Sequence, residues 1–212
     1  MEDRVKSAWI YWIGASILLC IGAAASLIYD KADFLMWLAY HRNAFLDYYF
    51  YYITKVGEPI GFIIVGLIFL VSSWKKMLLI PVLGLITTLL TYLMKSYFFH
   101  ERPALFLKSI DWNGPTDVLD YHMLIGHTSF PSGHSMAAWA LCTLTASMFR
   151  NTWVSLVCLF LAVSVSLSRI YLMAHFLEDV VFGACIGCLI GFGMQYGYER
   201  WIRKGQLKPT LP

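Results

Sequence analysis

Charge is scarce in this chain. Asp, Glu, Lys and Arg together make up 14% of its 212 residues, whereas 59% are hydrophobic. A soluble domain carries about 25% charged and about 45–50% apolar residues, so one water-facing core of this size cannot hide the excess. The net charge of +3 is too small to imply a nucleic-acid partner. Repeats, low-complexity tracts and a soluble domain are all missing, so 1–212 reads as one membrane-embedded domain. No small-residue cleavage site follows the first apolar run, which is therefore expected to stay as a span and not to act as a signal peptide. The five cysteines, Cys20, Cys142, Cys158, Cys185 and Cys188, all lie inside apolar stretches. The CxxC at Cys185–Cys188 has no second pair to complete a metal site, and packing is the expected role.

What the chain does have is long hydrophobic runs. Six segments, roughly 8–28, 56–73, 77–98, 134–149, 153–170 and 177–198, are long and apolar enough to cross a bilayer or nearly so. Each should be helical, because isolated strands leave backbone groups unpaired in lipid. The expected fold is an all-α integral membrane protein with six transmembrane helices. Between the first two spans, 31–55 is too polar to cross, and Phe45, Tyr48, Tyr49 and Tyr52 recur at helical spacing. An interfacial amphipathic helix is expected there. The connection 99–133 must lie at one membrane surface. Gly183, Gly187 and Gly191 form a small-residue row suited to close helix contact, read as internal packing with a dimer interface as the sharper option.

Cation placement sets the orientation. Both termini share a side with 74–76 and 150–152, where Arg4, Lys6, Lys75, Lys76, Arg150, Arg200, Arg203, Lys204 and Lys208 make nine cations. The other side carries Lys31, Arg42, Lys55, Lys95, Arg102, Lys108 and Arg169. Lys95, Arg102 and Arg169 belong to the polar clusters described next. The termini are thus expected in the cytoplasm and the opposite face outside the cell (inner) membrane.

Polar residues at membrane depth are costly and usually functional, and three clusters stand out. Lys95 to Pro103 closes the third span, Phe130 to Ser135 opens the fourth, and Ser168 to Asp179 joins the fifth to the sixth. Helix counting puts all three at one membrane face. Three cations there call for an anion. Guanidinium groups match phosphate oxygens in pairs, and Lys95 adds a point charge. Ser132 and Gly133 open a helix whose first N–H groups favour an anion, and Gly133 lets backbone approach it closely. His175 and Asp179, four residues apart, share a helix face. A carboxylate on one imidazole nitrogen leaves the other free to attack, which makes His175 the natural nucleophile and a phosphohistidine the intermediate. His134 can protonate the leaving group and then activate water. The pattern shows no carboxylate cluster suited to Mg²⁺, so no metal or cofactor is expected, and the cations would stabilise the charge themselves.

These clusters resemble the signature of the type 2 phosphatidic acid phosphatase superfamily: K-x6-R-P, P-S-G-H and S-R-x5-H-x3-D. Lys95, Arg102, Pro103, Pro131, Ser132, Gly133, His134, Ser168, Arg169, His175 and Asp179 match every signature position in order. The resemblance covers about 56–198 well and the first span loosely. It implies a six-helix membrane core and metal-independent hydrolysis of a phosphomonoester or diphosphate. It also implies His175 as nucleophile, Asp179 as its partner, His134 as general acid, and Lys95, Arg102, Ser132, Gly133 and Arg169 as phosphate ligands.

The expected activity is a membrane lipid phosphatase whose substrate enters sideways from the bilayer. Candidates are undecaprenyl diphosphate, slightly favoured, phosphatidylglycerol phosphate, phosphatidic acid and a lipid A phosphate. The rivals are a lipid phosphotransferase using the same intermediate and a non-catalytic transporter or scaffold on the same fold. Vanadate-dependent oxidation on the related soluble fold is disfavoured by the spans. His100, His122 and His127 read as ordinary loop residues, Glu178 is given no role, and the oligomeric state stays open.

Overall fold

Lipid offers the backbone no hydrogen-bond partners, and this chain meets that condition with helices. The computed structural model describes residues 2–116 and 118–206, with side chains from 9 to 116 and 118 to 203. Of the cations used to orient the chain, Lys208 lies outside the described residues, as do the side chains of Arg4, Lys6 and Lys204. The elements are α1 (Glu2–Ile28), α2 (Asp33–Tyr40), α3 (Ala44–Ile53), a 3₁₀ turn (Thr54–Gly57), α4 (Pro59–Ser72), α5 (Trp74–Met77), α6 (Leu79–Tyr97), α7 (Pro103–Ser109), α8 (Gly133–Phe149), α9 (Thr152–Tyr171) and α10 (Leu177–Gln206). Among the described residues the extended structure is limited to two isolated bridges, His100 to Thr128 and Val118 to Tyr121.

Among the described residues four stretches are long and apolar enough to cross a membrane: Trp9–Ile28, Trp74–Tyr97, Thr152–Tyr171 and Leu177–Arg203. A fifth arises if Ala44–Gly57 and Pro59–Ser72, which meet at 61°, are taken as one broken span. Two of the six expected spans are the short ones. Helix α4 has 14 residues and α8 has 17, or about 21 and 26 Å at 1.5 Å per residue against a hydrocarbon core of about 30 Å. The residues 74–76, expected as a turn, are helical and extend the third span. In 31–55 the single expected helix is two, α2 and α3, with the Asn43 side chain capping α3 by accepting from Leu46 N at 3.0 Å. Phe45, Tyr48 and Tyr52 are exposed on α3 as the spacing predicts.

Helix α8 is the centre of the molecule, with every residue from Ser135 to Ser147 buried. Its closest partner is α10, and the glycine row explains why. A Cβ on Gly183 would lie 2.5 Å from Ser132 O, on Gly187 2.4 Å from Met136 O, and on Gly191 2.6 Å from Ala140 O. Side chains at these positions would therefore force the helices apart, which settles the row as packing within the chain. Ser132, Met136 and Ala140 recur every four residues, as do Gly183, Gly187 and Gly191, so two i+4 ridges run along each other. Asp179 is the next residue up the glycine row. The contact that joins the helices thus carries Asp179 to the start of α8, where Ser132 N donates to Asp179 O at 3.0 Å. The cysteines are all free, and Cys142, Cys158 and Cys188 are buried in the packing between helices.

Candidate active site

Four helix ends meet at one end of the bundle: the C-termini of α6 and α9 and the N-termini of α8 and α10. Helix α9 stops at Tyr171, and Met173 takes a left-handed conformation with φ of 53°. The turn closes through Ala174 N and His175 N, which both donate to Arg169 O, at 2.9 and 3.2 Å. This termination places His175 beside the base of Arg169 before α10 begins.

Asp179 sits three residues past the N-cap of α10. Its Oδ2 accepts from Phe176 N at 3.0 Å, the carboxylate half of a capping box. The same oxygen accepts from Ser129 Oγ at 2.5 Å and lies 3.4 Å from His175 Nδ1. Ser129 Oγ is itself 3.5 Å from that nitrogen. All three side chains are buried. Burial pulls the His175 pKa down to about 4, although the Asp179 carboxylate pulls it upward. The ring is consequently neutral at pH 7, with a lone pair available for attack. Among the described residues Asp179 Oδ1 has no hydrogen-bond partner, although it is buried.

The cations divide into two kinds. Lys95, near the end of α6, lines an open cleft of about 620 Å³ with Glu58, Thr91, Gly133 and His134. The two arginines are buried and already engaged. Arg102 donates to Ala174 O at 3.1 Å and Thr128 O at 3.2 Å, tying 99–133 to the His175 turn. Arg169 donates to Thr54 Oγ1 at 2.8 Å and Tyr121 Oη at 3.1 Å, while its Nε is buried without a hydrogen-bond partner among the described residues. Lys95 lies within electrostatic reach of Arg102, Arg169 and Asp179, and His134 within reach of Lys95, Arg102, Arg169 and His175.

Helix α8 opens on Ser132, whose Oγ accepts from Ser135 N at 3.4 Å as an N-cap. A Cβ on Gly133 would come within 2.9 Å of the Thr91 methyl, so a side chain there would have to displace Thr91 of α6. His134 follows, its Nε2 at 3.2 Å from Glu58 Oε1.

The eight residues singled out from the sequence therefore converge: His134, His175, Asp179, Lys95, Arg102, Ser132, Gly133 and Arg169. Residues 76–203 match the family model described as PAP2 superfamily. The chain belongs to the PAP2 superfamily. It is 28% identical over 172 residues to a lipid A 4'-phosphatase of Porphyromonas gingivalis, covering 76% of this chain and 71% of that protein. Its fold resembles the crystal structure of Aquifex aeolicus LpxE, at a TM-score of 0.65 and 21% identity over 77% of this chain and 93% of that one. It also resembles the transmembrane PAP2-type phosphatidylglycerolphosphate phosphatase of Bacillus subtilis, at a TM-score of 0.57 and 23% identity, covering 94% and 98% of the two chains. The all-helical architecture is thus one that the chain shares with a solved transmembrane PAP2 protein.

Several partners inside this PAP2 site escaped the sequence reading. Ser129, Thr54, Tyr121 and Glu58 lie outside the signature spacings, and Ser129 alone, three residues before Ser132, was close enough to the motif to raise the question. Ser168 Oγ donates to Val165 O at 2.6 Å, a helical back-bond, and so holds its own helix. His100 and Glu178, read as bystanders, stand with Asp179 so that one ligand-type atom of each lies within 4.8 Å of the others. The spacing gave no sign of this grouping, because His100 comes from the distant end of 99–133. His100 also packs on Phe130 and His127 stacks on Phe99, at ring separations of 5.2 Å each.

Proposed function

We propose that this protein is a membrane lipid phosphatase that works through a phosphohistidine on His175. The observation that carries the reading is the buried imidazole of His175, backed by the Asp179 carboxylate and within electrostatic reach of the buried Arg169 and of Lys95, which lines a cleft open between apolar helices. In this mechanism a lipid phosphate enters between α4 and α6 with its tail still in lipid. Lys95, Arg102 and Arg169 balance its charge, joined by the Ser132 hydroxyl and the Gly133 N–H at the start of α8, the Ser132 N–H being held by Asp179 O. Arg169 Nε, with no protein partner, is a ready donor. His175 Nε2 attacks phosphorus as Nδ1–H points to Asp179, a 3.4 Å contact that tightens when the anion docks. The P–O ester bond breaks, its electron pair leaves on oxygen, and His134 supplies the proton. Water then attacks the phosphohistidine with His134 as base, releasing phosphate and restoring His175.

We place this site at the extracytoplasmic face of a six-span protein, with the termini inside. Helix α8 is wrapped by its neighbours and need not match the lipid thickness itself, and the likeness to a transmembrane PAP2 structure supports counting it and α4 as crossings. Cysteines introduced at 100–130 should react with an impermeant maleimide in intact cells, and labelling only after permeabilisation reverses the orientation.

The substrate test is phosphate release in detergent from undecaprenyl diphosphate, phosphatidylglycerol phosphate, phosphatidic acid and a lipid A phosphate. Release from at least one, undiminished by EDTA, is expected. Strong EDTA inhibition reversed by Mg²⁺ overturns the metal-free mechanism, and silence on all four overturns the phosphatase.

A further inference from the structure

The segment Thr54–Glu58 lies outside every signature motif, yet it touches the site three times. Thr54 Oγ1 accepts from Arg169 at 2.8 Å. Gly57 packs on the start of α8 so closely that a Cβ there would meet His134 O at 2.8 Å and His134 Cα at 3.3 Å. Glu58 Oε1 lies 3.2 Å from His134 Nε2.

Glu58 is in an unusual position for a carboxylate. It occupies the N-cap of α4 but makes no side-chain cap bond. Its extended backbone, with Pro59 at the first helical position, would suit a cap to the next N–H groups, yet the side chain makes none. The carboxylate is released from capping and turns instead into the cleft that holds Lys95 and Gly133. An unpaired carboxylate in a cleft that admits phosphate would repel its ligand. Paired with an imidazole N–H, it has another use.

We propose that Glu58 is the positioning residue for His134, acting on the proposed phosphatase reaction as Asp179 acts on His175. By accepting Nε2–H it fixes the ring and its tautomer, leaving Nδ1 as the nitrogen that exchanges a proton with the ester oxygen. In the first step the His175–phosphorus bond forms and the P–O ester bond breaks. His134 enters this step as the imidazolium, its second proton taken up on Nδ1 together with the phosphate anion. The bond's electron pair stays on the departing oxygen, that Nδ1 proton moves to it, and His134 is left neutral with Nε2–H still on Glu58. The site then holds two histidine–carboxylate pairs, one for attack and one for departure.

This inference rests on the hydrolase reading, and leaving-group chemistry separates the two. Two amphiphiles with the same tail serve as probes, one a phosphate ester of an alkyl alcohol and the other of a nitrophenol. An alkoxide needs a proton to depart, whereas a nitrophenolate does not. For Glu58→Ala, kcat/KM on the alkyl ester should fall on the order of 10–100-fold, with the nitrophenyl ester changed by less than about 3-fold. Glu58→Gln, which keeps the shape and an acceptor oxygen, should fall between Glu58→Ala and the native protein, and it carries the comparison if the alanine variant does not fold. Equal losses on both esters would reduce Glu58 to a structural contact and overturn the proposal, as would full activity of both variants on the alkyl ester. Lack of turnover by the unaltered protein on both esters overturns the hydrolase reading itself.

Discussion

His175→Ala should remove turnover of any lipid phosphate, by a factor on the order of 10⁴ or more, while the helices remain assembled. The size follows from what remains. Lys95, Arg102 and Arg169 would still hold an anion, and His134 could still offer a proton, but no group would be left to bond with phosphorus. Water would have to attack from the position of a ring buried to 2% exposure, where it has no oriented base. The variant should therefore bind substrate with little change in affinity. It should also fail to trap acid-labile phosphate on the protein when labelled substrate is quenched. Circular dichroism and thermal unfolding in detergent provide the check on folding. Residual activity within 100-fold of the unaltered protein removes His175 from the role of nucleophile.

Asp179→Asn should cost on the order of 10³–10⁴-fold in kcat with a much smaller change in KM. The substitution keeps the shape. The amide oxygen can stay at the Oδ2 position, accepting from Ser129 Oγ and Phe176 N as the carboxylate does at 2.5 and 3.0 Å. The cap of α10 and the glycine contact with α8 then survive. What is lost is the negative charge that faces His175 Nδ1 and stabilises the ring as it gains positive character on bonding to phosphorus. A residue that mattered only for packing would tolerate this change, so kcat within 10-fold of the native value would assign Asp179 to structure alone.

The signature residues were legible because their chemistry is incompatible with their surroundings. Arg169 and Asp179 at the ends of apolar runs have no other reason to persist in lipid. The same argument failed where polarity was unremarkable. Ser129 and Thr54 are ordinary loop and turn residues until the fold delivers them to Asp179 Oδ2 and Arg169 Nη1. Glu58 was hidden more deeply: before a proline, at the mouth of an apolar run, it reads as a helix start. Arg102 was read as a phosphate ligand, and its guanidinium is also a brace between Thr128 and Ala174, a contact between segments 26 and 72 residues away from it that no local pattern reports.

Helix ends were legible in α9 and α8 alike, each within one residue of the expected 153–170 and 134–149, but only α9 is long and apolar enough to cross a membrane on its own. The outer face of α9 is apolar throughout. Helix α8 is too short to pass as a span, since it is solvated by its neighbours and carries serines and threonines that bond within the bundle: Ser135 to Ser166 at 2.9 Å, Thr143 to Tyr11 at 2.9 Å. The junction at Glu58 was placed inside a run because hydropathy averages over bends.

By itself, the order of residues determined that this chain is helical, that its solvent is largely lipid, and that the ionisable residues of its three motifs fall at matching helix ends. Those properties follow from composition and from a periodicity that any helix must obey. Only the tertiary structure decided which group serves which. The glycine row brings Asp179 to Ser132, the left-handed turn at Met173 brings His175 to Asp179, and the Thr54–Glu58 strap reaches Arg169 and His134. Such pairings depend on how far two backbones can approach and in what register they lock, and that is a property of helices in contact, which no single helix carries alone.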